Sequence, residues 1–212
     1  MAFATQLDRQ HILLENISWQ TYKRLLKDWG EHRGSRIAYD QGMLEIMTPS
    51  KRHEGSSTLI SWLIEAFAEE LEIDMAGAGS TTLDLEHLEK GIEPDECFYI
   101  QNEPRVRGKE NINLMRDPPP DLAVEVEVSR SALDKLRIHA SLRIPEVWQY
   151  NGKELRIHRL QKRGKYVEVE KSIALPQLPI QDLLRFLRKQ GTMSDTRLVR
   201  SFRAWVRSRF KR

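Results

Sequence analysis

The sequence holds one cysteine, Cys97, in 212 residues, which excludes an intramolecular disulfide framework and any Cys-rich zinc site. A lone thiol fits a reducing compartment, and a cytoplasmic location is the expectation. Long apolar runs are also missing. No stretch approaches the roughly 18 residues that a membrane span needs, and the first fifteen residues, MAFATQLDRQHILLE, lack the apolar core of a signal peptide. The six histidines, His11, His32, His53, His87, His139 and His158, show no HExxH spacing. Gly77-Ala78-Gly79 is too short for a phosphate-binding loop and no GKS or GKT follows it; extended by Ser80, it is a poor substitute for the G-x-S-x-G of a serine hydrolase. These absences argue against zinc-peptidase, ATPase and serine-hydrolase chemistry.

What is present is a globular composition, 40% hydrophobic and 31% charged, long enough for one sizeable core. The net charge of +3 hides an asymmetry. From Arg185 to Arg212 there are ten Lys or Arg against one acid, leaving 24 basic and 30 acidic side chains elsewhere. An acidic body with a basic end suits a nucleic-acid or anionic-membrane contact through that end, or plain solvation. The expected division is a single domain over residues 1–190 and a basic helical tail over 191–212.

The hydrophobic pattern places the elements. Ile17, Tyr22, Leu25, Leu26 and Trp29 recur at helical spacing behind Ser18, a capping residue, with Gly34 closing the unit. Arg36–Tyr39 and Met43–Met47 flank Asp40-Gln41-Gly42 as a hairpin, and a helix is expected from Ser56. Strands follow at 80–85 and 97–100, then a charged, proline-rich loop over 101–120, expected to cross over the site. Residues 122–128 alternate aliphatic and acidic, 133–142 read as a helix, and 147–150 and 154–160 as a hairpin around Asn151-Gly152. Tyr166–Val169 adds a strand, and 180–187 and 196–210 add helices. The sum is an α/β or α+β domain with a mixed sheet.

One pattern resists explanation by packing. Glu125 and Glu127 interrupt an aliphatic strand, and strand periodicity projects both to one face. Buried carboxylates are costly unless paired or bound to metal, and like charges so close repel. A divalent cation relieves both problems, and oxygen donors suit Mg²⁺ or Mn²⁺. Asp95, just after Pro94, would join Glu125 if their strands pair, with the Val126 carbonyl as a third donor. Lys135, ten residues beyond Glu125, would swing back from the next helix to orient water or neutralise acid. The bland alternative is an edge strand with its polar face in solvent.

Taken in order, Gly42–Met47, Ser50–Glu54, Ile92-Glu93-Pro94-Asp95, Pro119–Ser129, Leu133-Asp134-Lys135-Leu136 and Ile144-Pro145-Glu146-Val147-Trp148 resemble the Uma2 family, formerly a domain of unknown function abundant in cyanobacteria. The resemblance covers roughly residues 15–187. It implies a PD-(D/E)XK, restriction endonuclease-like fold, a mixed β-sheet flanked by helices, acting as a metal-dependent DNA endonuclease. The alternative is a catalytically inactive nucleic-acid-binding or structural protein on that scaffold.

On this resemblance Asp95 matches the motif aspartate and Glu125 the motif acid. Glu127 stands where many such nucleases carry lysine, and Lys135 is the relocated lysine; Glu127 is then a metal ligand or a water-positioning group. The expected catalytic set is Asp95, Glu125, Glu127 and Lys135, with Mg²⁺ or Mn²⁺ on Asp95, Glu125 and Val126. His53 and Glu54 are accessory candidates, for substrate contact and metal ligation or for capping and surface roles. Arg105, Arg107, Lys109 and Arg130 are candidate DNA contacts, and a homodimer is the expected assembly.

Overall fold

The computed structural model describes residues 3–6, 11–30, 34–127 and 131–211. Two six-stranded sheets share the chain. The first is antiparallel throughout, in the order β1 (Phe3–Gln6), β2 (His11–Glu15), β4 (Met43–Met47), β3 (Arg36–Asp40), β7 (Lys90–Ile92), β6 (Leu83–Leu85). The second runs β12 (Tyr166–Val169), β11 (Leu155–Leu160), β10 (Glu146–Tyr150), β9 (Leu122–Val126), β8 (Glu96–Tyr99), β5 (Ala76–Gly77), and its β9–β10 pair is parallel. That parallel pair is joined through α4 (Lys135–Ser141), the crossover a parallel connection requires. The expected mixed sheet is the second; strands β1 to β4 join β7 and β6 in an antiparallel sheet of their own.

Alternation along β9 separates the cores. Leu122, Val124 and Val126 pack with α2 (Lys51–Glu70), α5 (Ile180–Leu187) and α6 (Asp195–Phe210). Ala123 and Val147 face the other way, into a core built with Ile92 and Leu83 of the first sheet and Ile138 of α4. The second sheet is thus covered on both faces, which explains why β9 is wholly buried. A third cluster of Trp19, Tyr22, Ile37, Tyr39 and Leu44 seats α1 (Trp19–Trp29) on the first sheet.

Several boundaries differ from expectation, for local reasons. Gly30, with φ of 70°, ends α1 ahead of Gly34. The helix expected from Ser56 begins at Lys51, because the Ser50 hydroxyl accepts the His53 amide at 3.2 Å and caps the polar first turn. Between the strands expected at 80–85 and 97–100 lies β7, whose Lys90 is buried against Asp40. The charged loop carries a short helix, α3 (Glu103–Val106). β9 ends at Val126. The hairpin at Asp40-Gln41-Gly42 forms as expected, with φ of 48° at Gln41 and 95° at Gly42, the left-handed pair that a two-residue hairpin turn uses.

The arginine-rich C-terminal helix belongs to the core. Leu198, Phe202 and Val206 of α6 are buried against α2, and Arg207 forks onto Glu70 at 2.7 and 2.9 Å. No helix among the described residues is long and apolar enough to cross a membrane.

Candidate active site

The odd residue of β9 is Glu125, which faces away from α2 and is 0% exposed. Both of its oxygens are engaged from α4: Lys135 Nζ donates to Oε2 at 2.6 Å, and His139 Nε2 lies 2.7 Å from Oε1. Lys135 and His139 are four residues apart, hence stacked on one helix face. Asp134 caps that helix through the Arg137 amide and so sets where Lys135 starts it. Burial pushes the Glu125 carboxyl up, but the Lys135 ammonium and His139 outweigh it and hold Glu125 below the usual carboxylate range. For Lys135, burial lowers the pKa, yet the charges of Glu125 and Asp95 win and raise it above the ordinary lysine value. Lys135, 9% exposed, is therefore a buried cation rather than a surface lysine.

The strands that carry the two motif acids do pair. β8 and β9 run antiparallel with Glu96 opposite Val124, and Asp95, the residue before β8, brings its side chain to the end of β9. Asp95 Oδ2 accepts the Val126 amide at 2.7 Å and lies 3.2 Å from His53 Nε2. Asp95 Oδ1 is buried without a hydrogen-bond partner, and Arg36 Nε, at 4.0 Å, is the cation facing it. His53, in the capped first turn of α2, is itself buried, with neither ring nitrogen in a hydrogen bond.

Glu127 follows the strand. Its amide donates to the Tyr150 carbonyl at 2.8 Å, and its Oε1 accepts Gln149 Nε2 at 2.8 Å. Burial and then repulsion from Glu125 raise its carboxyl above the usual range, against the pull of Lys135. A raised carboxyl beside a lowered one is the division of labour that acid–base chemistry uses. Glu96, in contact with Ser57 of α2 at 3.3 Å, is pushed up to about 7 by burial, with Asp95 and Glu65 adding to it.

Thus Asp95, Glu125, Lys135, Glu127 and His53 come together at one end of the second sheet. Val126 contributes its amide to Asp95 and its side chain to the α2 core. Glu54 stands at the rim, paired with Arg36 at 3.2 Å. Arg105 and Arg107 follow the opposite end of β8 from Asp95, and Arg107 is tied to Glu103 at 2.6 Å and Asp74 at 3.1 Å. Lys109 pairs with Asp117. Arg130 lies outside the described residues.

Two residues of the cluster, His139 and Arg36, were not singled out from the sequence. The four-residue spacing from Lys135 pointed to His139; Arg36 carried no signal beyond opening a strand.

The residues fit a hard divalent cation in part. An unpartnered buried carboxylate oxygen on Asp95 beside a second carboxylate is the donor chemistry such an ion takes. Among the described residues no group of three or more His, Cys, Asp or Glu forms a ready cage. Mg²⁺ characteristically relies on one or two carboxylates, with water and substrate phosphate completing its shell.

The likeness to known proteins agrees with this geometry. A solved structure described as "a putative nuclease belonging to DUF820" from Anabaena variabilis superposes with a TM-score of 0.52 at 14% identity, covering 88% of this chain and 99% of that one. At that identity the likeness shows the fold, which is restriction endonuclease-like. No curated protein matches the sequence. The family model of Uma2, described as "Putative restriction endonuclease", matches residues 19–190, a span that includes every residue of the cluster. The chain is a member of the Uma2 family.

Proposed function

We propose that this protein is a metal-dependent DNA endonuclease that hydrolyses phosphodiester bonds at the Asp95–Glu125 cluster. The observation that carries this reading is the pair of buried acids at the end of β9, Glu125 in the strand and Asp95 on the Val126 amide, with one oxygen of Asp95 unpartnered. Asp95 and Glu125 would hold Mg²⁺ or Mn²⁺, which supplies Lewis acidity to a phosphoryl oxygen and lowers the pKa of water.

The chain's own groups do the rest. Val126 fixes Asp95 through its amide, and His139 fixes Glu125, so neither acid has to reorganise during turnover. Lys135, charged and buried, offers an ammonium to the charge that grows on the phosphoryl group. Glu127, with its raised carboxyl, would orient the attacking water and take its proton. His53 adds a buried ring whose Nε2 faces Asp95.

The test is cleavage of plasmid DNA in Mg²⁺ or Mn²⁺ against EDTA, comparing the unaltered protein with Asp95→Asn. Asparagine can still accept the Val126 amide, so folding is preserved while the anionic oxygen is lost. A fall in rate of about 10²–10³-fold or more is expected. Equal cleavage by both proteins would remove Asp95 from the reaction. Absence of cleavage by the unaltered protein on any DNA would favour the inactive scaffold.

A further inference from the structure

Three open cavities of the described residues carry charged linings, and their charges differ. One of about 560 Å³ is lined by Arg36 and Lys109 but equally by Glu93 and Glu110. A second, of about 970 Å³, sets Lys23, Lys109 and Arg116 against Asp84, Glu86 and Asp117, with Lys23–Asp84 and Lys109–Asp117 already ion pairs. Neither offers surplus positive charge to a polyanion.

The third, of about 830 Å³, runs between the first turn of α2 and the end of α5. Lys51, Arg52 and Arg188 line it, and Asp195 is its one acid. All three cations are exposed, and among the described residues none has a carboxylate partner. Arg188 donates only to the Lys153 carbonyl, at 3.3 Å. Cations left unneutralised on rigid helix ends are free to exchange their counterions for phosphates.

The groove opens at the same end of the second sheet as the acids. Tyr150 lies in its wall and sits in register with Val126, one strand spacing from the Asp95–Val126 bond. On the other side, Arg52 precedes His53, whose ring touches Asp95. A strand leaving the acids past the first turn of α2 would reach this groove. The Tyr150 ring is buried, which leaves no stacking platform there, so the chemistry on offer is recognition of backbone charge without base identity.

We propose that this groove is the track for the phosphodiester backbone on one side of the scissile bond, with Lys51, Arg52 and Arg188 as its phosphate contacts. The proposal rests on the nuclease reading above and adds where its substrate lies.

The test is DNA binding without turnover. Fluorescence anisotropy of a labelled oligonucleotide in EDTA is measured across a salt series for the unaltered protein and for the triple variant Lys51→Gln, Arg52→Gln, Arg188→Gln. A control triple, Lys162→Gln, Arg163→Gln, Arg209→Gln, removes equal charge at exposed positions away from the groove. The groove triple is expected to weaken binding about tenfold or more at low salt, and to reduce the slope of log affinity against log salt by about 2 to 3, the share of three phosphates. The control is expected to keep the slope. In Mg²⁺ the groove triple raises KM while kcat is retained. Equal losses in the two triples, or unchanged binding by the groove triple while cleavage still depends on Asp95, would overturn the groove and leave the nuclease reading standing. No salt-dependent binding by the unaltered protein would overturn both.

Discussion

Replacing Glu125 tests more than catalysis, because the residue also neutralises a buried cation. Its carboxylate is 0% exposed and accepts Lys135 at 2.6 Å and His139 at 2.7 Å, while Lys135 is itself only 9% exposed. Glu125→Leu keeps the volume and takes from the buried ammonium its hydrogen-bonded carboxylate. Removing one partner of a buried pair costs about 3–5 kcal/mol, and for a chain of this size each kcal/mol moves the melting temperature by about 2–4 °C. A drop of about 6–20 °C is therefore expected.

Lys135→Met strands the carboxylate instead and should cost a comparable amount. Combining the two removes both charges, and the double variant should melt within a few degrees of the unaltered protein, since an apolar pair of like volume is often neutral. The assay is calorimetric melting at pH 7 in EDTA, arranged as a double-mutant cycle. Additive losses in the double variant, or single variants melting within about 2 °C of the unaltered protein, would refute the buried pair. The same reasoning explains why Asp95→Asn is the cleaner probe of activity.

Two further outcomes follow from the scaffold. Arg207 hydrogen-bonds Glu70 and, with Arg203 and Lys211, holds its carboxyl down at about 2. The stability this supplies is complete above the ordinary carboxylate range and is lost as pH falls from about 4.5 towards 2. Glu70→Gln should therefore flatten that acid limb in pH-dependent denaturation and lower the melting point at pH 7; an unchanged acid limb would contradict the tie between α2 and α6. Gly91→Ala would bring a Cβ within 2.8 Å of Tyr22 Cζ and 3.1 Å of Asp84 Cβ. A loss of about 1–3 kcal/mol by urea denaturation is expected from such overpacking, and no loss would contradict the seating of α1 on the first sheet.

Much of this was legible where side-chain period and burial agree. Residues 122–126 alternate because the faces of β9 meet different cores, and that alternation exposed Glu125 as an acid needing partners. The hairpin at Gln41-Gly42 and helix α5 were legible from turn chemistry and a compact apolar stripe. The start of α2 was hidden because Lys51 to Gly55 is a polar first turn, defined by the Ser50 cap and not by any apolar residue. The separation into two sheets was illegible because strands as short as Lys90–Ile92 owe their pairing to distant contacts, among them Lys90 with Asp40. His139 went unnoticed because a histidine on a helix acquires meaning only when a strand places Glu125 beneath it. The basic character of residues 185–212 overstated the free charge of that segment, since Arg203 and Arg207 spend theirs on Glu69 and Glu70.

Titration calorimetry with Mn²⁺ on the intact chain goes straight to whether Asp95 and Glu125 share a cation. The unaltered protein should take up one ion with a saturable heat, and Asp95→Asn, folded and melting at nearly the same temperature, should lose that heat. Indistinguishable isotherms for the two proteins, or no uptake by the unaltered chain with or without DNA, would contradict a metal centre at this pair of acids.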